Sequence, residues 1–175
     1  MHVTAISLCS HFGSHIDAPS HYVKAGTPVD ALPAGLLIGS CRVVYCDGNS
    51  RVPAGYVESM PLRNVRRLLI ENCSSKLLGD NEFHGDYAAL HLDAAKVLVA
   101  GGVSLLGVDE TLIPPCAPSQ SIPVHCTFLG PGPIQTAIEE LDLPDVEPGE
   151  YNLVATPLRL TGPEAGPTRV LLGQD

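Results

Sequence analysis

The sequence predicts an α/β domain built mainly from short strands, and three observations point there. The runs Cys41 to Cys46 (CRVVYC) and Arg67 to Asn72 (RLLIEN) are aliphatic or β-branched and bounded by Gly, Asp, Asn and Ser, as buried strands are. From Leu92 to Val108 the apolar spacing passes from helical to strand-like within a few residues, which makes an α-to-β unit. The 17 glycines and 16 prolines are dispersed among the apolar segments, so the elements are short and joined by tight turns. At 175 residues, with 45% hydrophobic and 17% charged side chains, the chain reads as a single domain over 1–175 with a continuous core.

Taken in order, Val3 to Cys9 (VTAISLC) is expected to be a strand feeding the polar segment from Ser10 to His21. The two runs at Cys41 and Arg67 are expected inside a sheet. Leu92 to Gly101 (LDAAKVLVAG) predicts an amphipathic helix with Asp93 as N-cap and Gly101-Gly102 as stop. Val103 to Val108 follows as a strand ending in Asp109, a common functional position in α/β sheets. Pro114 to Pro123 contains four prolines and is expected to be a loop that delivers His125. Ile134 to Leu141 carries the acidic pair Glu139-Glu140. Tyr151 to Leu160 and Thr168 to Leu172 predict a closing pair of strands with GPEAGP as the turn between them.

Charge and cysteine usage remove several function classes. Ten basic against 19 acidic residues give a net charge of −9, a field that repels phosphate backbones and anionic lipid, so neither nucleic acid nor membrane is an expected partner. The six cysteines form no C-x-x-C pair, which excludes a zinc ribbon or thioredoxin-type motif. With no signal-peptide pattern and no apolar run of membrane-spanning length, the thiols read as reduced and the setting as cytoplasmic. G-x-S-x-G, G-x-G-x-x-G and the P-loop pattern are absent, so serine-hydrolase and nucleotide chemistry have no support. The expected partner is a small-molecule substrate.

Chemistry is concentrated in His11-Phe12-Gly13-Ser14-His15-Ile16-Asp17-Ala18-Pro19-Ser20-His21. A single histidine in such a segment reads as part of a solvated loop. His11, His15, Asp17 and His21 together share one parity, so an extended backbone turns all four toward one face. Imidazole nitrogen with carboxylate oxygen suits divalent ions such as zinc or manganese. Gly13 and Pro19 argue against a helix, and H-E-x-x-H is missing, so this is not a zincin. His84 and His91 read as surface or capping residues and Cys126 as a small buried hydrophobe.

The motif H-x-G-[ST]-H-x-D-x-P-x-H resembles the signature of the cyclase-type metal-dependent hydrolases, which include bacterial kynurenine formamidase and isatin hydrolase. The likeness continues through Cys41 to Asp47, Arg66 to Asn72, Gly107-Val108-Asp109, His125, Glu139 and Tyr151 to Leu160, in that order. It implies a swivelling β/β/α fold, with a mixed sheet or small barrel flanked by helices, assembled as a homodimer or homotetramer. Carried over, His11, His15 and Asp17 match the family's metal ligands, His125 its later histidine ligand, and Glu139 a bridging glutamate, with Glu140 as the alternative register. His21 matches the catalytic histidine. The family has a further strand ahead of the motif, so the resemblance also implies a shortened N-terminal strand and a sheet edge for a partner subunit to cover.

A divalent ion held by imidazoles and a carboxylate lowers the pKa of a bound water toward ~7 and can polarise a carbonyl. His21, beyond the ligand cluster, is suited to move the proton to a leaving nitrogen. The resemblance therefore implies hydrolysis of a carbon–nitrogen bond in a small amide, arylformamides first. The alternatives are a lactam hydrolase of the isatin type, a cyclase or dehydratase, and a non-catalytic metal- or ligand-binding homologue.

Overall fold

The computed structural model describes residues 1–46, 52–72, 90–109, 118–130 and 132–174. Seven strands form in chain order: β1 (His15–Asp17), β2 (Ile38–Tyr45), β3 (Arg67–Glu71), β4 (Leu105–Val108), β5 (Thr136–Glu139), β6 (Gly149–Pro157) and β7 (Ala165–Gly173). Among the described residues four α-helices accompany them: α1 (Ala34–Leu37), α2 (Ala54–Ser59), α3 (Leu92–Ala100) and α4 (Pro118–Phe128). The strands close into a barrel in the order β1-β5-β4-β3-β2-β6-β7. β2 to β5 run parallel to one another, and every other pairing is antiparallel. The expectation of an α/β small barrel flanked by helices matches this architecture.

Side-chain alternation sorts the apolar residues into two cores. Ile16, Val43, Leu69, Leu105, Ile138 and Leu153 point into the barrel and fill it. Leu68, Ile70, Leu106, Val108 and Ala137 point outward and are covered by α2, α3 and α4 through Val57, Ala94, Leu98, Val124 and Phe128. Strands β3 and β4 are thus buried on both faces, which is why their sequences are continuous apolar runs rather than alternating ones. At Gly107 the interior has no space for a side chain. A Cβ there would lie 2.3 Å from Leu69 Cδ2 and 2.8 Å from Leu141 Cδ1.

Three elements differ from the sequence expectations. Residues 3–9 are exposed and outside any strand, and the strand of this region is His15–Asp17 instead. β1 is paired on one side with β5 and on the other with β7, so the expected bare sheet edge is closed within the chain. The proline-rich stretch is not wholly a loop, because Pro118–Phe128 is helical with Pro123 inside it. Proline at a first helical position costs nothing, and the bond lost at Pro123 is offset by burying Val124 and Phe128, which are 3% and 0% exposed. At α3 the N-cap is His91 rather than Asp93, and Asp93 lies in the first turn, where it accepts from Lys96 Nζ at 3.0 Å. Gly101 ends that helix as expected. The strands expected at Cys41, Arg67, Val103, Tyr151 and Thr168 form with shifted ends. Cys73, His84, Thr111 and Cys116 lie outside the described residues. Among the described residues no helix is long and apolar enough to cross a membrane.

Candidate metal centre

Because Ile16 points into the barrel, its neighbours His15 and Asp17 point to the outer face. The register sets His15 opposite Glu139, whose own neighbour Ile138 also points inward, so Glu139 emerges on that same outer face. α4 packs there and carries His125, 3% exposed, over the strands. His11 comes from the turn before β1, and His21 from a 3-10 turn, Pro19–His21, after it. The common parity expected of the four N-terminal residues thus holds along a strand only for His15 and Asp17. His11 and His21 arrive by turns.

Asp17 is the hub. Its Oδ1 lies 3.0 Å from His11 Nδ1 and 3.5 Å from His15 Nε2, and its Oδ2 lies 3.6 Å from His125 Nε2 and 3.9 Å from His21 Nε2. Glu139 reaches His125 Nε2 at 3.3 Å and His15 Nε2 at 3.5 Å. The ligand atoms of His11, Asp17 and His21 fall within 4.8 Å of one another, and so do those of His15, Asp17 and Glu139. Asp17 belongs to both triplets. Glu140, the other register, takes a left-handed backbone (φ 55°) that ends β5, and its carbonyl accepts from Ser14 Oγ. Glu139, not Glu140, therefore joins the cluster.

The donor set fits a divalent cation. His15 Nε2 and both oxygens of Asp17 are buried without a hydrogen-bond partner, a costly arrangement that a cation would relieve. The Gly13 carbonyl can only accept, so His15 Nδ1 carries the hydrogen of their 2.8 Å bond and Nε2 presents its lone pair to the cluster. Burial alone would raise the Asp17 pKa, but the close imidazoles of His11 and His125, with His15 and His21 beyond them, outweigh it and hold the carboxyl well below its ordinary range. Burial opposes charging His125, yet the facing carboxylates of Asp17 and Glu139 push it up to about 9. The adjacent Asp17 carboxylate raises His11, whereas burial pushes His21 down.

Two further residues join the cluster. Tyr22 stacks on the His125 ring at 4.5 Å and 22°, and meets His21 edge-on at 4.4 Å. Glu164, in the β6–β7 turn, accepts from Ser10 Oγ at 2.7 Å and lies 3.4 Å from His11 Nε2. Adjacency to His21 could have flagged Tyr22. Nothing local distinguishes Glu164 from a turn residue, since barrel closure alone brings it to the site.

A barrel carrying buried imidazoles and carboxylates around orphaned donor atoms defines a metal-hydrolase type of centre. The Cyclase family model matches residues 2–113. The kynurenine formamidase of Salinibacter ruber (strain DSM 13855 / M31) is 32% identical over 169 residues, covering 96% of this chain and 78% of its own length. That of Maricaulis maris (strain MCS10) is 32% identical over 171 residues, covering 97% and 79%. A solved structure described as a potential metal-dependent hydrolase with cyclase activity superposes with a TM-score of 0.83 at 31% identity, covering 96% of this chain and 81% of that one. An isatin hydrolase bound to the product analogue thioisatinate shares the fold, with a TM-score of 0.77 at 19% identity, covering 95% and 72%. The chain belongs to the cyclase family and is an amidohydrolase of it.

Proposed function

We propose that the protein hydrolyses the carbon–nitrogen bond of a small amide, an arylformamide in the first instance, in a single domain that uses a divalent metal. The observation that carries this reading is the buried Asp17 carboxylate, without hydrogen-bond partners and ringed by four imidazoles and Glu139. His11, His15 and Asp17 would hold a zinc or manganese ion, and His125 with Glu139 would complete that site or form a second one sharing Asp17. When bound, such an ion supplies an acidified water at neutral pH and an electrophile for the carbonyl.

The remaining work falls to the chain. His21, its pKa pushed down by burial, is a quarter exposed and 3.9 Å from Asp17 through Nε2, so it can take a proton from the attacking water and deliver it to the leaving nitrogen. Tyr22 holds the His125 ring flat against its own and limits the directions in which that imidazole can turn. Exposed Phe12 supplies an aromatic face for an aryl substrate beside His11. The free thiols of exposed Cys9 and Cys126 and of buried Cys41 support a reducing, cytoplasmic setting. A homo-oligomer is part of the same reading, supported by the outward apolar row of Ile38, Val154 and Leu171 across three neighbouring strands.

The test combines elemental mass spectrometry of the purified protein with release of formate from an N-formyl arylamine. One or two equivalents of metal are expected, absent from Asp17→Ala. His21→Ala should keep the metal and lose at least ~100-fold in rate. Metal lost together with activity in His21→Ala would make His21 a ligand. A wild-type chain that takes up neither zinc nor manganese would overturn the hydrolase mechanism.

A further inference from the structure

The parallel strands have a second end. Arg67, the first residue of β3, is in register with Leu105 and, through it, with Thr136, three residues before Glu139. At about 3.3 Å per residue, this end of the barrel stands roughly 10 Å along the strands from the carboxylate cluster. A cavity of about 290 Å³ opens here, between β2, β6 and the turn that leads into β3. Arg42, Arg63, Arg66 and Arg67 all border it, which puts four of the chain's ten basic residues around one cavity in a molecule of net charge −9.

The four arginines are not equivalent. Arg42 is spent on Glu150, the one acidic residue of the lining, with Nε and Nη2 each 2.5 Å from Oε1. Arg67 is 8% exposed and forms no ion pair among the described residues. Its guanidinium donates to the carbonyls of Leu36 (2.9 Å), Ser40 (3.2 Å), Ile38 (2.6 Å) and Gly35. It fits only because residue 39 is glycine, where a Cβ would come within 2.9 Å of Nη1. A charge held this way is solvated by dipoles but not neutralised.

Arg63 and Arg66 are exposed, and neither forms an ion pair among the described residues. Their positions are set by a turn in which Val65 N–H bonds Leu62 O at 3.0 Å, with Asn64 held at φ 66°. That conformation places residues on either side of Asn64 at the rim of one cavity. A buried guanidinium held by carbonyls and two exposed guanidinium forks on the same cavity are the arrangement that binds a polyvalent oxyanion. The strongly acidic remainder of the surface would repel the same anion elsewhere, so the field is focused here.

We propose that this cavity binds a phosphate group, with Arg63 and Arg66 as its bidentate donors and Arg67 as the buried counter-charge. The volume is near the lower bound for small-molecule sites, room for a phosphate and a small organic group attached to it. The site is independent of the metal centre and of the proposed amide chemistry.

The experiment is isothermal titration of the metal-loaded protein at low ionic strength with inorganic phosphate and, separately, with glycerol phosphate. The wild-type chain and Arg63→Ser/Arg66→Ser are compared. Metal content and far-ultraviolet circular dichroism of the variant establish that it is folded and loaded. Saturable binding is expected, at least about tenfold weaker in the double variant, since each charge-assisted hydrogen-bond partner lost costs about that much or more. Tighter binding of the ester assigns the cavity to phosphomonoesters, and equal binding assigns it to free phosphate. Absence of saturable binding up to ~10 mM, or binding undiminished in the double variant and hence attributable to the metal centre, overturns the proposal.

Discussion

Stripping the metal from this protein should reverse the way its stability responds to pH. Without an ion, the His125 imidazole holds its proton through Asp17 and Glu139 up to about 9, against about 6.5 in an unfolded chain. A raised folded-state pKa contributes stability that is fully present below 6.5 and is lost as pH rises through about 9. The difference of about 2.5 units, at about 1.4 kcal/mol per unit, sets a ceiling of about 3 kcal/mol. For a chain of this length that is a fall in Tm of roughly 6 to 12 °C between pH 6 and pH 9.5. His11 is also raised and adds to the same trend, while the lowered His21 acts only below 6.5, where it opposes folding as pH drops. With an ion present, ligation requires neutral imidazoles, so protons compete with the metal and stability rises over the same interval. The assay is thermal unfolding by circular dichroism in EDTA and in excess zinc, from pH 6 to 9.5. In EDTA, Asp17→Asn should flatten the profile without abolishing it, because Glu139 shares the His125 proton. Parallel profiles with and without metal would refute the assignment of His125 and Asp17 to one charged cluster.

Two predictions concern the scaffold rather than the site. Gly107→Val forces a branched side chain onto Leu69 and Leu141 inside the barrel and should cost about 1–3 kcal/mol or more, read as a lower urea midpoint; an unchanged midpoint would mean the interior can give way there. Burial pushes the Cys41 thiol up to about 12, so alkylation at pH 8 mapped by mass spectrometry should label exposed Cys9 and Cys126 and spare Cys41 until urea is added. Early labelling of Cys41 would show that β2 opens readily.

What the sequence made legible follows from how far each signal acts. His15 and Asp17 could be read together because two residues apart on a strand is a purely local relation, with Ile16 between them supplying the buried face. The family resemblance nominated His125 and Glu139, but their meeting depends on α4 lying over β5, which no local pattern states. The strand expected at Val3–Cys9 failed because alternation reports only that a segment could pair. β1 already occupies the place between β5 and β7. The helix around Pro123 was hidden because proline's local cost is visible in sequence whereas the offsetting burial of Phe128 is not. Glu164 and the four-arginine cavity were invisible for a related reason: barrel closure brings Glu164 to the site, and the pairing of β2 with β3 brings Arg42 beside Arg63, Arg66 and Arg67.

The strand that closes the barrel is three residues long, and two of those three are the candidate metal ligands His15 and Asp17. Seam and reaction centre are thus one piece of backbone. A cation gripping Asp17, Glu139 and His125 would rivet β1 to β5 and α4 as well as serve chemistry, while an empty centre leaves the hoop fastened by a handful of backbone hydrogen bonds and crowded by unrelieved charge. The scaffold's weakest joint and its most demanding cargo coincide, so occupancy of the centre and integrity of the barrel are expected to rise and fall together.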